Sequence, residues 1–180
     1  PEVFLQGLEI MFELSESFPN LKYIDMGSGF KVPYQKGELE TDVKALGKKV
    51  EKAVAQFKKE TGKDFELWFE PGKYLVSKSG HFLVKSNVIK QTTATVFVGV
   101  NSGFNHLIRP MFYDSYHVIE NLTNPKGTER IYTVVGNICE TDTFAWDRKL
   151  HEVRESDVLV FRNAGAYGFE MSSNFNSRLK

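Results

Sequence analysis

The chain has 180 residues, of which 41% are hydrophobic and 26% are charged, as in a globular protein with a buried core. Lys and Arg total 23, and so do Asp and Glu, so net charge gives no indication of a nucleic-acid or membrane-surface partner. The one cysteine excludes an intrachain disulfide and fits a reducing, cytoplasmic location. No apolar run approaches the roughly 18 residues of a membrane span.

The first part of the chain alternates between helical and strand-like patterns. A first helix is predicted by apolar residues on one face, namely Phe4, Leu8, Met11 and Phe12. “LKYIDMGSG” then predicts a short strand that ends in a glycine turn. A second helix follows, with Thr41 or Asp42 as its N-cap and Gly62 near its end. Its apolar stripe consists of Val43, Leu46, Val50, Val54 and Phe57.

“FELWFEPG” is a nearly continuous apolar run, which predicts a strand buried on both faces. Helices and strands that alternate in this way predict a parallel α/β sheet or barrel over residues 1–80. Beyond residue 80, one helix and four strands are predicted, the strands by “FLVKSNVIKQT”, “TATVFVGVN”, “RIYTVVGNIC” and “DVLVFRN”. We therefore predict a mostly antiparallel β domain over residues 81–180, with an exposed loop at 124–129.

Two turns that follow strands are candidate phosphate sites. Gly27, Ser28 and Gly29 follow the first strand, and “EPGK”, from Glu70 to Lys73, follows the second. Backbone N–H groups in such turns can converge on a phosphate, and loops after neighbouring barrel strands meet on one face. Glycine turns after strands are also common without any ligand, so this motif alone leaves both interpretations open.

“LIRPMFYDSYH” suggests a grip for a carboxylate. Pro110 suits the first helical position, which leaves Arg109 at the cap and Tyr113 one turn further on the same face. An arginine fork beside a hydroxyl can bind a carboxylate, although a surface arginine at a helix start is the alternative. His106 and His117 lie nearby in sequence, but they supply too few ligands for a metal site.

Two further segments contain candidate functional residues. In “NAGAYGFEMSSNFNSR”, small residues surround Tyr167, which could form a tight corner of the β domain or the wall of a ligand pocket. In “VVGNICETD”, the only cysteine, Cys139, precedes Glu140 and Asp142. Nearby carboxylates disfavour a thiolate nucleophile, so this cysteine suits an acid that keeps its proton and then donates it.

Five segments, in this order, resemble the diaminopimelate decarboxylase family: “GSGFKVPY”, “EPGK”, “SGFNHLIRPMFYDSYH”, “VVGNICETD” and “NAGAYGFEMSSNFNSR”. Members of that family are pyridoxal-phosphate enzymes with an alanine-racemase-like (β/α)8 barrel followed by a β domain. The resemblance implies the C-terminal part of the barrel in residues 1–80 and a β-barrel or β-sandwich domain in residues 81–180. It also implies decarboxylation of meso-2,6-diaminopimelate to L-lysine, with pyridoxal 5′-phosphate as the cofactor.

The resemblance also implies roles for individual residues. Cys139 would protonate the carbon that loses carbon dioxide, and Glu140 would bind the distal ammonium group; both would act in the partner's pocket of a homodimer. Arg109 and Tyr113 would hold a substrate carboxylate, and Tyr167 would contact cofactor and substrate. The cofactor phosphate would be held by residues of two turns, namely Gly27, Ser28, Gly29, Glu70, Pro71, Gly72 and Lys73. Lys73 would also lie near the substrate.

The chain departs from the family pattern at several points. Lys73 stands where arginine is more usual, “GSGF” replaces a triple-glycine turn, and “CETD” is one residue shorter than “CESGD”, which leaves the placement of Asp142 open. The lysine that binds the cofactor covalently lies upstream in the family, and Lys31, Lys73 and Lys90 do not match its motif. We therefore expect these 180 residues to be a fragment that lacks the N-terminal half and is inactive alone.

Two alternative functions are compatible with the sequence. The first is a decarboxylase of the same fold that acts on ornithine, arginine or carboxynorspermidine, although Glu140 after the cysteine favours diaminopimelate. The second is a non-catalytic β module that dimerises. That module would not explain why five candidate residues all lie in motifs of one enzyme family: Arg109, Tyr113, Cys139, Glu140 and Tyr167.

Overall fold

A computed structural model describes residues 2–180 of the chain. The chain divides into two compact units. The first contains the described residues up to Pro33 together with Leu39–Tyr74, and the second contains Tyr34–Glu38 together with Leu75–Lys180. The second unit therefore takes in two segments that the sequence analysis assigned to the first part of the chain, Tyr34–Glu38 and residues 75–80.

The first unit is built on two helices whose ends follow from the sequence. Helix α1 spans Glu2–Ser15 and α2 spans Val43–Thr61. Asp42 is the N-cap of α2, since its Oδ1 accepts a hydrogen bond from the Ala45 N–H at 2.9 Å. Gly62 ends the helix in the left-handed conformation, with φ 68°, and its N–H donates to the Lys58 carbonyl.

A two-stranded parallel sheet completes this unit, formed by β1 (Tyr23–Asp25) and β2 (Glu66–Trp68). The core contains five residues of the predicted helix stripes, and three more predicted residues, Phe4, Met11 and Val54, pack against it. Val43, at the start of α2, is instead 38% exposed. The buried residues are Leu8, Phe12, Leu46, Val50 and Phe57 of the helices, with Ile24, Phe30 and Phe65 from outside them. The prediction that β2 is buried on both faces is wrong, because Trp68 is 46% exposed. Side chains alternate along a strand, so Leu67 joins the core while the Trp68 ring stacks on Tyr23 at 4.2 Å on the other face.

The second unit is a six-stranded sheet that curls until its two edge strands touch. Its strands are β3 (Phe82–Gln91), β4 (Val96–Val100), β5 (Ile119–Asn121), β6 (Glu129–Val135), β7 (Thr143–His151) and β8 (Val158–Phe161). Their order is β5-β8-β3-β4-β6-β7; β4 and β6 are parallel, and the other neighbours are antiparallel. The sequence analysis did not predict β5 and β7.

The interior of this sheet is apolar, with Val98, Val134 and Leu159 fully buried. Two short α-helices precede strands of this sheet: α3 (Gly72–Val76), which begins in the first unit, lies before β3, and α4 (Arg109–Tyr113) lies between β4 and β5. The connection before β6 is a loop, as predicted. Among residues 2–180, no helix has the length and apolar character needed to cross a membrane.

Candidate functional site

The glycine turn after β1 has an open, left-handed backbone. Gly27 and Gly29 have φ angles of 61° and 100°, and a Cβ added to either would meet no heavy atom within 4 Å. The Gly27 N–H is bound to Asp25 Oδ1 at 2.8 Å. Within residues 2–180, the N–H groups of Ser28 and Gly29 have no described partner, so two donors in the turn remain for an anion.

The structure brings the second predicted turn next to the first. The Glu70 N–H donates to the Gly27 carbonyl at 2.7 Å, and the Gly72 N–H donates to the Glu70 carbonyl at 2.8 Å. Helix α3 begins at Gly72, and Lys73 is half-buried in its first turn. The two turns that the sequence analysis selected for phosphate therefore lie next to each other at the C-terminal ends of the two parallel strands.

Arg109, in the second unit, is held between two tyrosine rings. Its Cζ lies 5.1 Å from the centre of the Tyr34 ring and 5.6 Å from that of Tyr167, which is within cation–π range. Its Nη2 donates to Ser115 Oγ at 3.2 Å. Its Nε is buried and has no described partner in the part of the chain that the structure covers. The guanidinium is thus fixed in place with one donor unused.

The start of α4 differs by one residue from the prediction. Ile108, with φ −75° and ψ −22°, is the N-cap, and Arg109 is the first helical residue. Pro110 tolerates this shift because an N–H in the first turn of a helix needs no partner within the helix. Tyr113 is 54% exposed and packs edge-on against Phe112 at 4.8 Å. The described contacts of Arg109 are to Tyr34, Ser115 and Tyr167 instead.

His117 is a buried neutral side chain beside this cluster. Its ring meets Tyr34 edge-on at 5.2 Å, and its Nδ1 is 2.8 Å from the Arg162 carbonyl. A carbonyl only accepts, so Nδ1 carries the proton and the buried Nε2 is a free acceptor. Burial lowers the pKa of His117 to about 4, and the charges of Arg109 and Arg148 act in the same direction.

The Tyr167 segment is as tightly packed as its small residues predict. A Cβ on Gly165 would lie 1.9 Å from the Val76 carbonyl oxygen, and one on Gly168 would lie 2.5 Å from that of Ala164. Tyr167 has φ 57°, and its N–H donates to Glu170 Oε1 at 2.7 Å. The tyrosine is 44% exposed, so this corner of the β unit presents one face of its ring to Arg109 and the rest to solvent.

Cys139 and Glu140 lie side by side at an exposed turn between β6 and β7. The amide of Asn176 donates to Cys139 Sγ at 3.0 Å. Asp142, whose placement the sequence left open, is buried, and its carboxylate accepts from the N–H groups of Phe104 and Ile138 at 2.8 and 2.9 Å. Burial raises the pKa of Asp142, although both backbone hydrogen bonds oppose the rise.

Sequence reasoning missed two residues of these clusters. Tyr34 ends the quoted segment “GSGFKVPY” but received no role, and nothing local indicates that it packs on Arg109, 75 positions further on. Asn176 lies within “MSSNFNSR” and was likewise given no role. Both contacts depend on the folded chain. Across residues 2–180, no three His, Cys, Asp or Glu side chains are grouped as metal ligands would be.

Comparison with known proteins identifies close relatives. Diaminopimelate decarboxylase of Campylobacter jejuni is 40% identical to this chain over 173 residues, which are 96% of this chain and 41% of that protein. A crystal structure of diaminopimelate decarboxylase superposes with a TM-score of 0.91 at 34% identity, covering 98% of this chain and 45% of the other. The enzyme from M. jannaschii, solved in complex with L-lysine, gives a TM-score of 0.85 at 31% identity, covering 95% and 39%.

The chain thus spans about two fifths of the length of the curated relatives that it matches. Two family models also match it. The pyridoxal binding domain of pyridoxal-dependent decarboxylases matches residues 6–77, and the C-terminal sheet domain of the same enzymes matches residues 73–165. The resemblance drawn from the five motifs is confirmed. Because the sheet-domain model alone covers just over half of the chain, this protein belongs to the pyridoxal-dependent decarboxylase family.

Proposed function

We propose that this chain is part of an enzyme that decarboxylates meso-2,6-diaminopimelate to L-lysine and carbon dioxide. The similarity to diaminopimelate decarboxylases supports this choice. The observation that carries the proposal is the exposed pair Cys139 and Glu140, presented on a turn that the buried Asp142 ties down. A proton donor next to a carboxylate suits a substrate that needs a proton on carbon and carries a distant ammonium group.

The fold that we propose is described in more detail than the family match provides. We assign residues 1–80 to the C-terminal part of a (β/α)8 barrel, in agreement with the parallel pairing of β1 and β2 and the helix α2 between them. Residues 81–180 form the β domain, whose strands curl until β5 meets β7. The proposed location of the enzyme is the cytoplasm, where a free cysteine such as Cys139 stays reduced.

Pyridoxal 5′-phosphate fits the glycine turn of the first unit. The open space over Gly27 and Gly29, together with the N–H groups of Ser28 and Gly29, can accommodate phosphate oxygens. The adjoining turn, Glu70 to Lys73, would close the site from the neighbouring strand. When bound, the cofactor supplies an electron sink that makes loss of the carboxylate feasible. We propose Tyr167 as a further contact of the substrate, as the resemblance to the family implies.

Arg109 would bind a carboxylate of the substrate. Its ring contacts with Tyr34 and Tyr167 hold the plane of the guanidinium, and a planar fork binds a carboxylate through two parallel hydrogen bonds. His117 is neutral and so adds no positive charge that would compete for the same carboxylate. Tyr113 is exposed on the same helix and would approach the substrate with its hydroxyl.

Cys139 would deliver the proton that the α-carbon needs once carbon dioxide has left. The S–H bond breaks, a C–H bond forms, and solvent then returns a proton to the sulfur. The Asn176 amide holds Sγ in position through its hydrogen bond. Glu140 would bind the distal ammonium group of the diamino acid, which selects this substrate over monoamino acids.

We infer a homodimer in which Cys139 and Glu140 act in the pocket of the partner. A chimera tests this, in which the chain replaces the matching region of the Campylobacter jejuni enzyme. Mixing Arg109→Ala and Cys139→Ala chimeras at equal amounts should restore about one quarter of the parent activity, since half of the dimers then contain one intact site of two. No recovery above the two separate variants would contradict a shared site.

The same chimera tests the proposed reaction. With the cofactor, it should form lysine from meso-diaminopimelate, whereas the isolated 180 residues should not. Cys139→Ala should lower kcat by about 100-fold or more, and Glu140→Gln should mainly raise KM. Glu155→Gln is the matched control, because Glu155 is an exposed carboxylate in a different turn of the same unit.

Each alternative predicts a distinct result. Faster turnover of ornithine, arginine or carboxynorspermidine than of diaminopimelate would assign the protein to another decarboxylase of this fold. A chimera that folds and dimerises but releases no carbon dioxide from any of these amino acids would favour a non-catalytic module.

A further inference from the structure

We propose that Asp142 is a positioning residue, and that its side chain closes the turn that bears Cys139 and Glu140. This inference rests on the proposed function, because the turn has a task only if its two exposed residues act on the substrate. Asp142 is 5% exposed and is the last residue before β7. It lies two positions after Glu140, so its placement limits where that carboxylate can go.

Asp142 holds the turn through both its side chain and its backbone carbonyl. Its Oδ2 accepts from the Ile138 N–H at 2.9 Å, immediately before Cys139, while its own carbonyl accepts from the Gly136 N–H at 2.7 Å. Its Oδ1 accepts from the Phe104 N–H at 2.8 Å in the loop after β4. The turn is therefore closed on itself and fastened to a neighbouring loop at the same time.

Two glycines make room for this carboxylate. A Cβ on Gly136 would lie 2.0 Å from Asp142 Oδ2, and one on Gly103 would lie 2.6 Å from the same oxygen. Neither glycine has a positive φ, so the backbone conformation does not require glycine at either position. The need for glycine comes from the close approach of the Asp142 side chain and, at Gly103, also from Ile138 Cγ1, which an added Cβ would meet at 2.4 Å.

Both oxygens of Asp142 are needed, and this makes the role testable. An asparagine at this position has nearly the same shape but only one acceptor oxygen, and its NH2 group would face a backbone N–H. One of the two N–H groups, on Phe104 or Ile138, would then lose its acceptor. The turn would loosen while Cys139 and Glu140 stay chemically unchanged.

Hydrogen exchange of the chimera tests the structural part. In Asp142→Asn, amide exchange in the peptides that contain Phe104 and Ile138 should be about 3- to 10-fold faster, as expected for the loss of a hydrogen bond. Asp157→Asn is the matched control. Asp157 is 3% exposed and accepts from the Arg154 N–H at 2.9 Å, so its variant also loses a buried acceptor but in another turn.

Steady-state kinetics of the chimera with bound cofactor test the functional part of the inference. A displacement of the turn by about 1 Å should lower kcat on diaminopimelate by about 100-fold in Asp142→Asn, and KM should rise because Glu140 moves too. Asp157→Asn should change kcat by less than about 3-fold. If Asp142→Asn does not fold, Gly136→Ala serves instead, since it displaces the carboxylate and leaves all its hydrogen-bonding groups in the chain.

The outcomes separate this inference from the proposed function. Faster exchange in Asp142→Asn with an unchanged kcat would overturn the positioning role, and so would equal losses of kcat in the Asp142 and Asp157 variants. Unchanged exchange at Phe104 and Ile138 would also overturn it. Normal activity of Cys139→Ala and Glu140→Gln would instead refute the proposed function, while the exchange result could still stand.

Discussion

The buried neutral His117 should make the stability of the β unit depend on pH. Its side chain is 2% exposed, and its pKa is lowered to about 4 from an ordinary 6.5. Between these two values the unfolded chain binds a proton that the folded chain excludes, so stability is full above pH 6.5 and falls as the pH drops toward 4. We choose His117→Asn as the perturbation, because asparagine retains a donor for the Arg162 carbonyl.

The magnitude follows from the two pKa values. Their difference corresponds to about 3 kcal/mol when the loss is complete, and to about 2 kcal/mol at pH 5. The unfolding free energy of a domain is about 5–15 kcal/mol, so this one side chain changes the stability measurably. In His117→Asn the part of the pH dependence that comes from this imidazole should disappear, although the absolute stability at pH 7 falls because the ring that packs on Tyr34 is lost.

Urea unfolding at about pH 7.5 and about pH 5 measures this dependence. A Trp68→Phe background leaves Trp146, in β7, as the only tryptophan, so its fluorescence reports on the β unit. The difference between the two pH values should be about 2 kcal/mol larger for the parent than for His117→Asn.

A second histidine provides the control. His151 is half-buried, and its Nδ1 is also 2.8 Å from a backbone carbonyl, that of Gly127. His151→Asn makes the same replacement at another hydrogen-bonded histidine and so controls for the loss of an imidazole ring as such. If the parent and His117→Asn lose the same free energy between the two pH values, the assignment of a neutral, proton-excluding His117 is refuted.

Three further predictions concern single contacts. Arg109→Lys should lower kcat/KM of the chimera by about 10- to 100-fold with little loss of thermal stability, because lysine has neither the planar fork nor the stacking on Tyr34 and Tyr167; an unchanged kcat/KM would contradict carboxylate binding by the fork. Gly165→Ala should destabilise the β unit by about 1–3 kcal/mol in urea unfolding, since its Cβ would lie 1.9 Å from the Val76 carbonyl oxygen; Gly47→Ala, at a helical position with open space, should not destabilise the chain. Asp42→Ala should cost about 1 kcal/mol of thermal stability through loss of the α2 N-cap, and an unchanged Tm would contradict the capping role.

Local signals in the sequence were sufficient for the helices of the first unit. The N-cap Asp42, the apolar stripe and the terminal Gly62 all act within a few residues of one another, so their pattern defines α2 without knowledge of the fold. The same holds for the glycine turn after β1, where positive φ angles at Gly27 and Gly29 account for the residue type.

The strands depended on contacts that the sequence does not show. β7 alternates only weakly, with “WDRK” in its middle, and Asp147 within it has a positive φ of 47°. Its pairing with β6 shifts in register near Tyr132 and Val134, so a regular alternation of apolar and polar residues is absent. β5 has only three residues, too few for a periodic signal.

In the candidate site, too, the sequence indicates the residue types but not the contacts between them. The motifs identified Arg109 and Tyr167, but the second ring that contacts Arg109 is that of Tyr34, which lies 75 residues before Arg109 in the sequence. Only the folded chain brings these three together, and loop closure over such distances leaves no local trace in the sequence. The sequence therefore indicated candidate side chains, whereas the contacts that hold them became visible only in the folded chain.

Cys139 illustrates why that holding matters for the proposed reaction. A proton donor must be exposed to reach a substrate, and an exposed turn has little packing to fix it. The chain resolves this conflict by burying Asp142, three residues after the cysteine, where its carboxylate takes two backbone N–H groups. Burying this carboxylate raises its pKa, so its charged form is held at a cost in stability. Such a cost is expected where position matters more than stability, which is the condition of a group that must meet one carbon atom of a substrate.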